Sequence, residues 1–455
     1  MRPPSASRAV DATNDREKNR MNDRNARFDV EITDLSHDGR GVAHVDGKAL
    51  FVIGALPGER ATVQLSARHR NYDEATVETL HTRSADRVEP RCPHFGVCGG
   101  CALQHLAPAA QIAAKQRVLA ENFERIGKVE PRRWLDPLTD APWGYRRKGR
   151  LSVKWVAKKD KMLVGFREQN GRFVADLREC HTLLPEVGFR IAALGDLVTS
   201  LDGRREIAQI EIAAGDDTVA LVFRNFTALS DADTAKLVAF GQANQLAMLL
   251  QPGGPDTVHA LWPDEVPLSF RIAEADVEIA FRPLDFVQVN AGMNQRMIAR
   301  ALDLLDPSAD DRVLDLFCGL GNFTLPIARR AGRVVGVEGD AGLVARARDN
   351  ASANGIANAE FFAADLAADQ RGAPWAMRDV EKILLDPPRS GAAAILEYLP
   401  RKSAKRVVYV SCHPGSLARD AGTLVQSHGF KLVAAGVMDM FPHTAHVESI
   451  ALFER

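Results

Sequence analysis

A chain of 455 residues, 46% of them hydrophobic, can bury large cores, and a prior of about one domain per 150 residues predicts about three domains. Its 58 Lys and Arg against 59 Asp and Glu leave a net charge of −1, which excludes a global pull on nucleic acid and throws any such binding onto local basic surface. No window holds the roughly 18 apolar residues of a membrane span, and the N-terminal stretch lacks an apolar signal core, so a cytoplasmic protein without a membrane partner is expected.

Residues 1–26 are rich in Arg, Asp, Asn, Ser and Pro, too polar to offset the entropy of ordering, and predict a flexible tail. Over residues 27–83 short alternating runs (FDVEITDL, KALFVIGAL, ERATVQLSARH) are punctuated by Gly39, Gly41, Gly47 and Pro57-Gly58. This pattern predicts a small antiparallel β-barrel of a kind that often binds oligonucleotides, with Arg40, His69 and Arg70 available for phosphates.

Residues 84–282 predict a central α+β domain. It opens on Cys92-x5-Cys98-Gly-Gly-Cys101, three soft ligands within ten residues, and Cys180 is the fourth candidate. Four thiolates suit either a [4Fe-4S] cluster or a tetrahedral zinc, and the spacing alone leaves both open. With all four committed, no open iron remains for radical chemistry. A helical stretch, AQIAAKQRVLAENFERIG, follows, with Gly127 as its expected C-cap. Between Pro131 and Arg172 stand twelve Lys or Arg against four acids, a local excess of eight. Trp134, Trp143, Tyr145 and Trp155 lie among them as possible stacking partners for unpaired bases, the plain alternative being a solvated basic face.

Over residues 283–455 apolar strands alternate with helical patterns, which predicts a doubly wound, Rossmann-like parallel sheet. Gly319-Leu-Gly321 follows the strand VLDLF and precedes a helix, letting a ligand approach backbone at a helix N-terminus. Glu338 ends the next strand, placed to grip ribose hydroxyls, and Asp365 and Asp386 end the third and fourth. Phe323 stands where a dinucleotide fingerprint has its third glycine, so the set suits an adenosyl ligand better than a pyrophosphate; a generic turn with capping acids is the alternative. Cys412 follows the strand RVVYV at the turn Ser411-Cys-His-Pro-Gly415, which puts its sulfur at the carboxyl edge of the sheet, whereas the usual cysteine is a small buried hydrophobe. Glu448, just before the last strand, is the candidate general base, with His446 and His413 as secondary proton carriers; a plain strand-end glutamate is the competing view.

Together these residues resemble the uracil-C5 RNA methyltransferase family, and within it the members acting on 23S rRNA, over nearly the whole chain after the tail. The resemblance implies that the barrel is a TRAM domain and that Cys92, Cys98, Cys101 and Cys180 hold a [4Fe-4S] cluster, expected to be structural. It implies S-adenosyl-L-methionine as cofactor, contacted by Gln288 of Asp285-Phe-Val-Gln-Val-Asn290 and by Phe317, Asn322, Glu338, Asp365 and Asp386. Cys412 matches the nucleophile that adds to uracil carbon 6, and Glu448 the base that removes the carbon 5 proton. The partner implied is a single-stranded or loop uracil of 23S rRNA, and a monomer is expected. In one departure, His413 stands where the family usually has asparagine. Three other readings compete. A tRNA- or other-rRNA-acting sister enzyme is one, its tRNA type expected to resemble only the later two thirds and to lack barrel and cysteines. A cytosine-C5 enzyme would need a second catalytic cysteine, for which only Cys318 lies near the cofactor turn. The last is a non-catalytic RNA-binding assembly factor.

Overall fold

The computed structural model describes residues 26–169, 171–400 and 402–455; apart from Ala26, the expected N-terminal tail lies outside them. The chain forms two compact units. One holds the residues up to Gly96 with Cys101–Ala114 and His443–Ala445; the other holds Val97–Gly100, Lys115–Pro442 and His446–Arg455.

In the first unit a six-stranded sheet runs in the order Arg27–Glu31, Arg60–Arg68, Tyr72–Thr82, Lys48–Ile53, Gly41–Val45, Asp34–Leu35. Period-2 alternation puts Ala61, Val63 and Leu65 inside, where they meet Val30, Ile32, Leu50, Val52 and Ala75. The sheet is not purely antiparallel as expected. After Ile53 the chain crosses to the far side to form Arg60–Arg68, so Tyr72–Thr82 returns beside Lys48–Ile53 in parallel. Gly39, Gly47 and Gly58 take left-handed turn conformations, but Gly41 is needed for closeness: a Cβ there would lie 2.9 Å from Ala55 and Ile32 side-chain carbons.

The second unit contains a six-stranded central sheet and an eight-stranded C-terminal one. The central one orders His259–Trp262, Ala247–Gln251, Val219–Asn225, Ile207–Ala214, Lys148–Val156, Lys161–Gly165. Helix Ile191–Ser200 covers one face, burying Ile191, Leu194 and Val198 against Leu151, Ile210, Ile212 and Phe223. Residues of its other face, Ala213, Val222 and Leu249, share a core with the C-terminal sheet.

That C-terminal sheet carries β1 (Arg312–Leu316), β2 (Arg333–Glu338), β3 (Ala359–Ala363), β4 (Lys382–Leu385), β5 (Arg406–Ser411), β6 (Lys431–Met438) and β7 (Glu448–Glu454). Their order is β3-β2-β1-β4-β5-β7-β6, with the short strand Arg133–Trp134 beyond β6. From β3 to β5 the strands are parallel; β7 alone runs antiparallel to its neighbours β5 and β6. Because strand order reverses between β1 and β4, the loops leaving these strands diverge and open a crevice at their carboxyl ends. Because β7 is reversed, its first residue lies at this same edge.

The helix expected to end at Gly127 ends otherwise. Helix Pro108–Asn122 passes into a π-turn over Phe123–Gly127, and Lys128, not Gly127, takes the left-handed cap at φ 53°. Gly127 is glycine because any Cβ there would run into the carbonyl oxygen of Ala418.

Candidate active site

The cofactor turn is built from backbone outward. Phe317, just past β1, adopts φ 67°, and both its N–H and that of Cys318 bond Val337 O on β2, at 2.8 and 3.1 Å. The chain then turns through Gly319 (φ 54°) and Gly321 (φ 90°), and nothing lies within 4 Å of where a Gly319 Cβ would sit. Glu338, at the end of β2, accepts N–H bonds from Gly319 (3.1 Å), Gly339 (2.7 Å) and Asp340 (3.1 Å), so its carboxylate is fixed beside the turn. Asn322 is locked by reciprocal amide bonds of 3.0 Å to Asn294. Asp365, two residues past β3, is exposed and accepts from Ala367 N–H at 2.9 Å. Gln288 is half-buried, two residues before Asn290, whose side chain caps helix Ala291–Leu305 through Met293 N–H at 3.2 Å.

Asp315 in β1 was not singled out from sequence, although an acid within an apolar strand is the signal that finds it. It is fully buried; Thr324 donates its hydroxyl to one oxygen, and the other oxygen has no partner. Burial, with the charges of Asp386 and Glu338, raises its carboxyl to about 8. An orphaned acceptor under a glycine turn, an open cradle above Gly319 and a fixed carboxylate at β2 together fit an adenosyl cofactor.

The chemistry side lies further along the same edge. Ser411 pairs with Ser449 across β5 and β7, so Cys412 and Glu448, one step outward on each antiparallel strand, are the next facing positions. Asp386 leaves the adjacent β4, its N–H on Leu316 O at 3.3 Å. Cys412 is half-buried, and burial together with the charges of Glu448 and Asp386 pushes its thiol up to about 11 against the pull of Arg389. Glu448 is buried; burial and then Asp386 hold its carboxyl well above the ordinary range, opposed by Arg389 and Lys115. Burial alone lifts Asp386 to about 7. The loop from Asp386 to Gly391 is tethered behind: Asp420 accepts from Ala392 N–H (2.7 Å) and Tyr409 hydroxyl (2.6 Å), and Arg419 donates to Ser390 O (2.8 Å).

The two histidines have other partners. His413 is the N-cap of helix Pro414–Gln426, its Nδ1 accepting from Ser416 N–H at 3.1 Å. His446 accepts from Arg389 at 3.0 Å, and burial followed by that guanidinium pulls it below its ordinary value. Cys318 is buried in the core, its sulfur 3.0 Å from where a Gly336 Cβ would stand, which makes it a packing residue.

Of the expected cluster ligands, Cys98 and Cys180 both pack against the core of the central sheet, and none of the six cysteines is in a disulfide. Among the described residues no group of three or more His, Cys, Asp or Glu is arranged to hold a metal. The basic segment is less free than its composition suggests. Arg147 is buried against Asp216, Lys148 donates to Pro283 O, and Lys159 and Lys161 share Asp176. Tyr145 is buried with its hydroxyl on Pro442 O at 3.2 Å, so it cannot stack on a base, and Trp155 lies beneath Arg204 and Arg205. Among the described residues no helix is long and apolar enough to cross a membrane.

The tRNA (Uracil-5-)-methyltransferase family model matches residues 258–455, and the TRAM domain model matches residues 24–77. The 23S rRNA (uracil(1939)-C(5))-methyltransferase RlmD of Xanthomonas campestris pv. campestris (strain 8004) is 63% identical over 432 residues, covering 94% of this chain and 97% of its own length. Its counterpart in Stenotrophomonas maltophilia (strain K279a) is likewise 63% identical with the same coverage. Among solved structures, the Pyrococcus abyssi tRNA (uracil-54, C5)-methyltransferase in complex with S-adenosyl-L-homocysteine superposes with a TM-score of 0.71 at 22% identity, over 93% of this chain and 99% of that one. That breadth corrects the expectation that tRNA-acting members resemble only the later two thirds; at this identity the likeness is one of fold. On identity over nearly its full length, the chain belongs to the family of the 23S rRNA (uracil-C5)-methyltransferases.

Proposed function

We propose that this protein methylates carbon 5 of a uridine in 23S rRNA with S-adenosyl-L-methionine. The observation that carries the reading is the facing pair Cys412 and Glu448, set on the same sheet edge as the glycine turn and Glu338. Carbon 5 of uracil is too weak a nucleophile to take a methyl group unaided. Cys412 adds as thiolate to carbon 6, which places electron density on carbon 5. The bound cofactor supplies a methyl group on a sulfonium. Glu448 then takes the carbon 5 proton, the carbon 5–carbon 6 double bond re-forms, and the sulfur–carbon 6 bond breaks to return the Cys412 thiolate. In this reading Glu338 holds the ribose, with Gln288, Phe317, Asn322, Asp365 and Asp386 completing the cofactor contacts.

The RNA is held, in this reading, by the barrel and by a cleft of about 690 Å³ in the second unit, lined by Arg146, Lys148, Arg150, Arg224 and Gln251 with the exposed ring of Phe286. Cys92, Cys98, Cys101 and Cys180 hold a [4Fe-4S] cluster with a structural role, a reading supported by the all-sulfur donor set. The protein works as a cytoplasmic monomer. The test is methylation of unmodified 23S rRNA by anoxically purified protein, with fragments mapped by mass spectrometry and iron and sulfide measured alongside. One 5-methyluridine that vanishes in Cys412→Ala supports the reading. Methylation of tRNA instead would move the substrate toward that of the solved neighbour.

A further inference from the structure

Helix Pro108–Asn122 carries Lys115 into a dry site: its side chain is 2% exposed, with Nζ 2.7 Å from Asp439 Oδ1 and 3.1 Å from Phe441 O. Burying an ammonium costs several kcal/mol before its partners compensate, so an aliphatic side chain would satisfy packing at lower cost. The location of this cation suggests what offsets that. Met438 is the register partner of Glu448, which makes Asp439 the first residue beyond the base on the neighbouring strand. Residues 439–442 then form a strap fastened at four points: Asp439 N–H on Leu138 O (2.8 Å), Lys115 on Asp439 and Phe441, Asn290 Nδ2 on Met440 O (3.4 Å), and Tyr145 hydroxyl on Pro442 O (3.2 Å).

The charged groups around Glu448 sort by sign. Asp386 from β4 opposes its ionisation, Arg389 from the β4 loop and Lys115 from the helix favour it, and Glu448 in turn raises the neutral Cys412 thiol on β5. Arg389 is exposed and bonded to His446, so water screens it, whereas Lys115 is held out of water. Asp439, which would otherwise add a second negative charge, is neutralised by Lys115 itself.

We propose that Lys115 is a positioning residue for proton abstraction from carbon 5: clamped by Asp439 and the Phe441 carbonyl, it fixes the strap beside Glu448 and supplies the dry positive charge against which that carboxyl ionises. This rests on the reading of Glu448 as the base. In the step concerned Glu448 gains the carbon 5 proton, the C–H electron pair closes the ring double bond, and Cys412 leaves carbon 6 as thiolate. A slowed abstraction therefore leaves RNA covalently attached to Cys412.

The experiment compares the full-length protein with Lys115→Met, Lys115→Arg, Asp439→Asn and Glu448→Gln on unmodified 23S rRNA. Two quantities are read across pH: the methyl-product rate and the fraction of SDS-stable protein–RNA adduct. Lys115→Met is expected to slow product release by roughly 10- to 100-fold, to accumulate adduct, and to move the acid limb upward by about one pH unit. Lys115→Arg restores both readouts toward the parent, and Asp439→Asn, which keeps the cation but loosens its clamp, accumulates adduct to a lesser extent. Adduct formation and turnover falling together with an unshifted pH profile would make Lys115 a folding residue and overturn the proposal. So would Lys115→Met behaving as parent while Glu448→Gln traps adduct. If Lys115→Met fails to fold, Asp439→Asn decides: adduct accumulation without an upward move of the acid limb supports the clamp, and parent-like behaviour overturns the proposal. Normal turnover by Glu448→Gln would instead remove the base assignment on which the proposal stands.

Discussion

At the β1–β2 end of the sheet edge, Glu338 is half-buried and already takes three backbone N–H bonds, while Asn322 is tied to Asn294. At the β5–β7 end, Glu448 and Cys412 sit beside Asp386 with acids raised by burial and by one another. Both ends use the same device, a polar residue at the tip of a strand. The first spends its hydrogen bonds before any ligand arrives, which fixes a shape for a cofactor to enter. The second holds its groups above their ordinary values, so they become reactive once a substrate or a change of pH moves them. Apart from buried Asp315, raised to about 8 with one unpartnered oxygen, a binding end and a chemical end can thus be told apart by whether carboxylates are satisfied or strained.

If that contrast holds, damage at the chemical end stops a step and damage at the binding end weakens affinity. Glu448→Gln is expected to lower kcat by about 10³-fold, within the range for loss of a general base, while methyl transfer still proceeds once and leaves a covalent RNA adduct on a denaturing gel. A variant equally slow but free of adduct would place Glu448 before methyl transfer and break the contrast. Glu338→Ala frees three N–H groups and removes two acceptors, so S-adenosyl-L-methionine should bind roughly 10- to 100-fold more weakly in calorimetry. Its kcat at saturating cofactor should stay within about threefold of the parent. A large fall in kcat would show that the turn also shapes the reacting centre.

The pH dependence sharpens the comparison from the other side. Cys412 is pushed up to about 11, so at neutral pH it holds a proton the reaction needs removed, and burial shifts Glu448 in the same upward direction. Raised acid groups ionise only as pH climbs. The single-turnover rate should therefore rise with pH between 7 and 9, by up to about tenfold per unit while one group limits. Cofactor binding, held by the already-fixed Glu338, should change only as far as Asp386, raised to about 7, and Asp315, raised to about 8, ionise over that range. A flat rate profile would mean that substrate binding alone brings both groups to their reactive forms.

Much of the binding end was legible in the sequence because it is local. Phe317 to Asn322 is a contiguous turn, and Glu338, Asp365 and Asp386 follow directly from strand ends. Cys412 and Glu448 were legible for the same reason, but their facing register depends on β7 running backwards between β5 and β6, a non-local fact. Long-range partners account for what was missed. Gly127 looked like a cap, yet the Ala418 carbonyl claims its missing Cβ and leaves the left-handed turn to Lys128. Tyr145 looked like a stacking ring until Pro442 buried its hydroxyl, and several charges of the basic segment turned out to have partners at Asp176, Glu211 and Asp216. Lys115 carried no signal at all, since one lysine on a helix is ordinary until Asp439 is seen against it.

The smallest expected effect concerns the departure at position 413. An N-cap residue must offer an acceptor to the free N–H groups of the first helical turn, which is why asparagine is favoured there. His413 does this with Nδ1, which requires a neutral ring carrying its proton on Nε2, and its own N–H and carbonyl both bond the Ser411 hydroxyl. The substitution thus preserves a capping function by other means and needs no part in proton transfer. His413→Asn should leave kcat within about twofold and stability within about 0.5 kcal/mol. His413→Ala, which removes the acceptor, should cost about 1 kcal/mol and lower the melting temperature by about 2 °C. If His413→Asn instead cut the rate of adduct formation tenfold while leaving the melting temperature unchanged, the imidazole would belong to the chemical end, and the cap would be incidental to it.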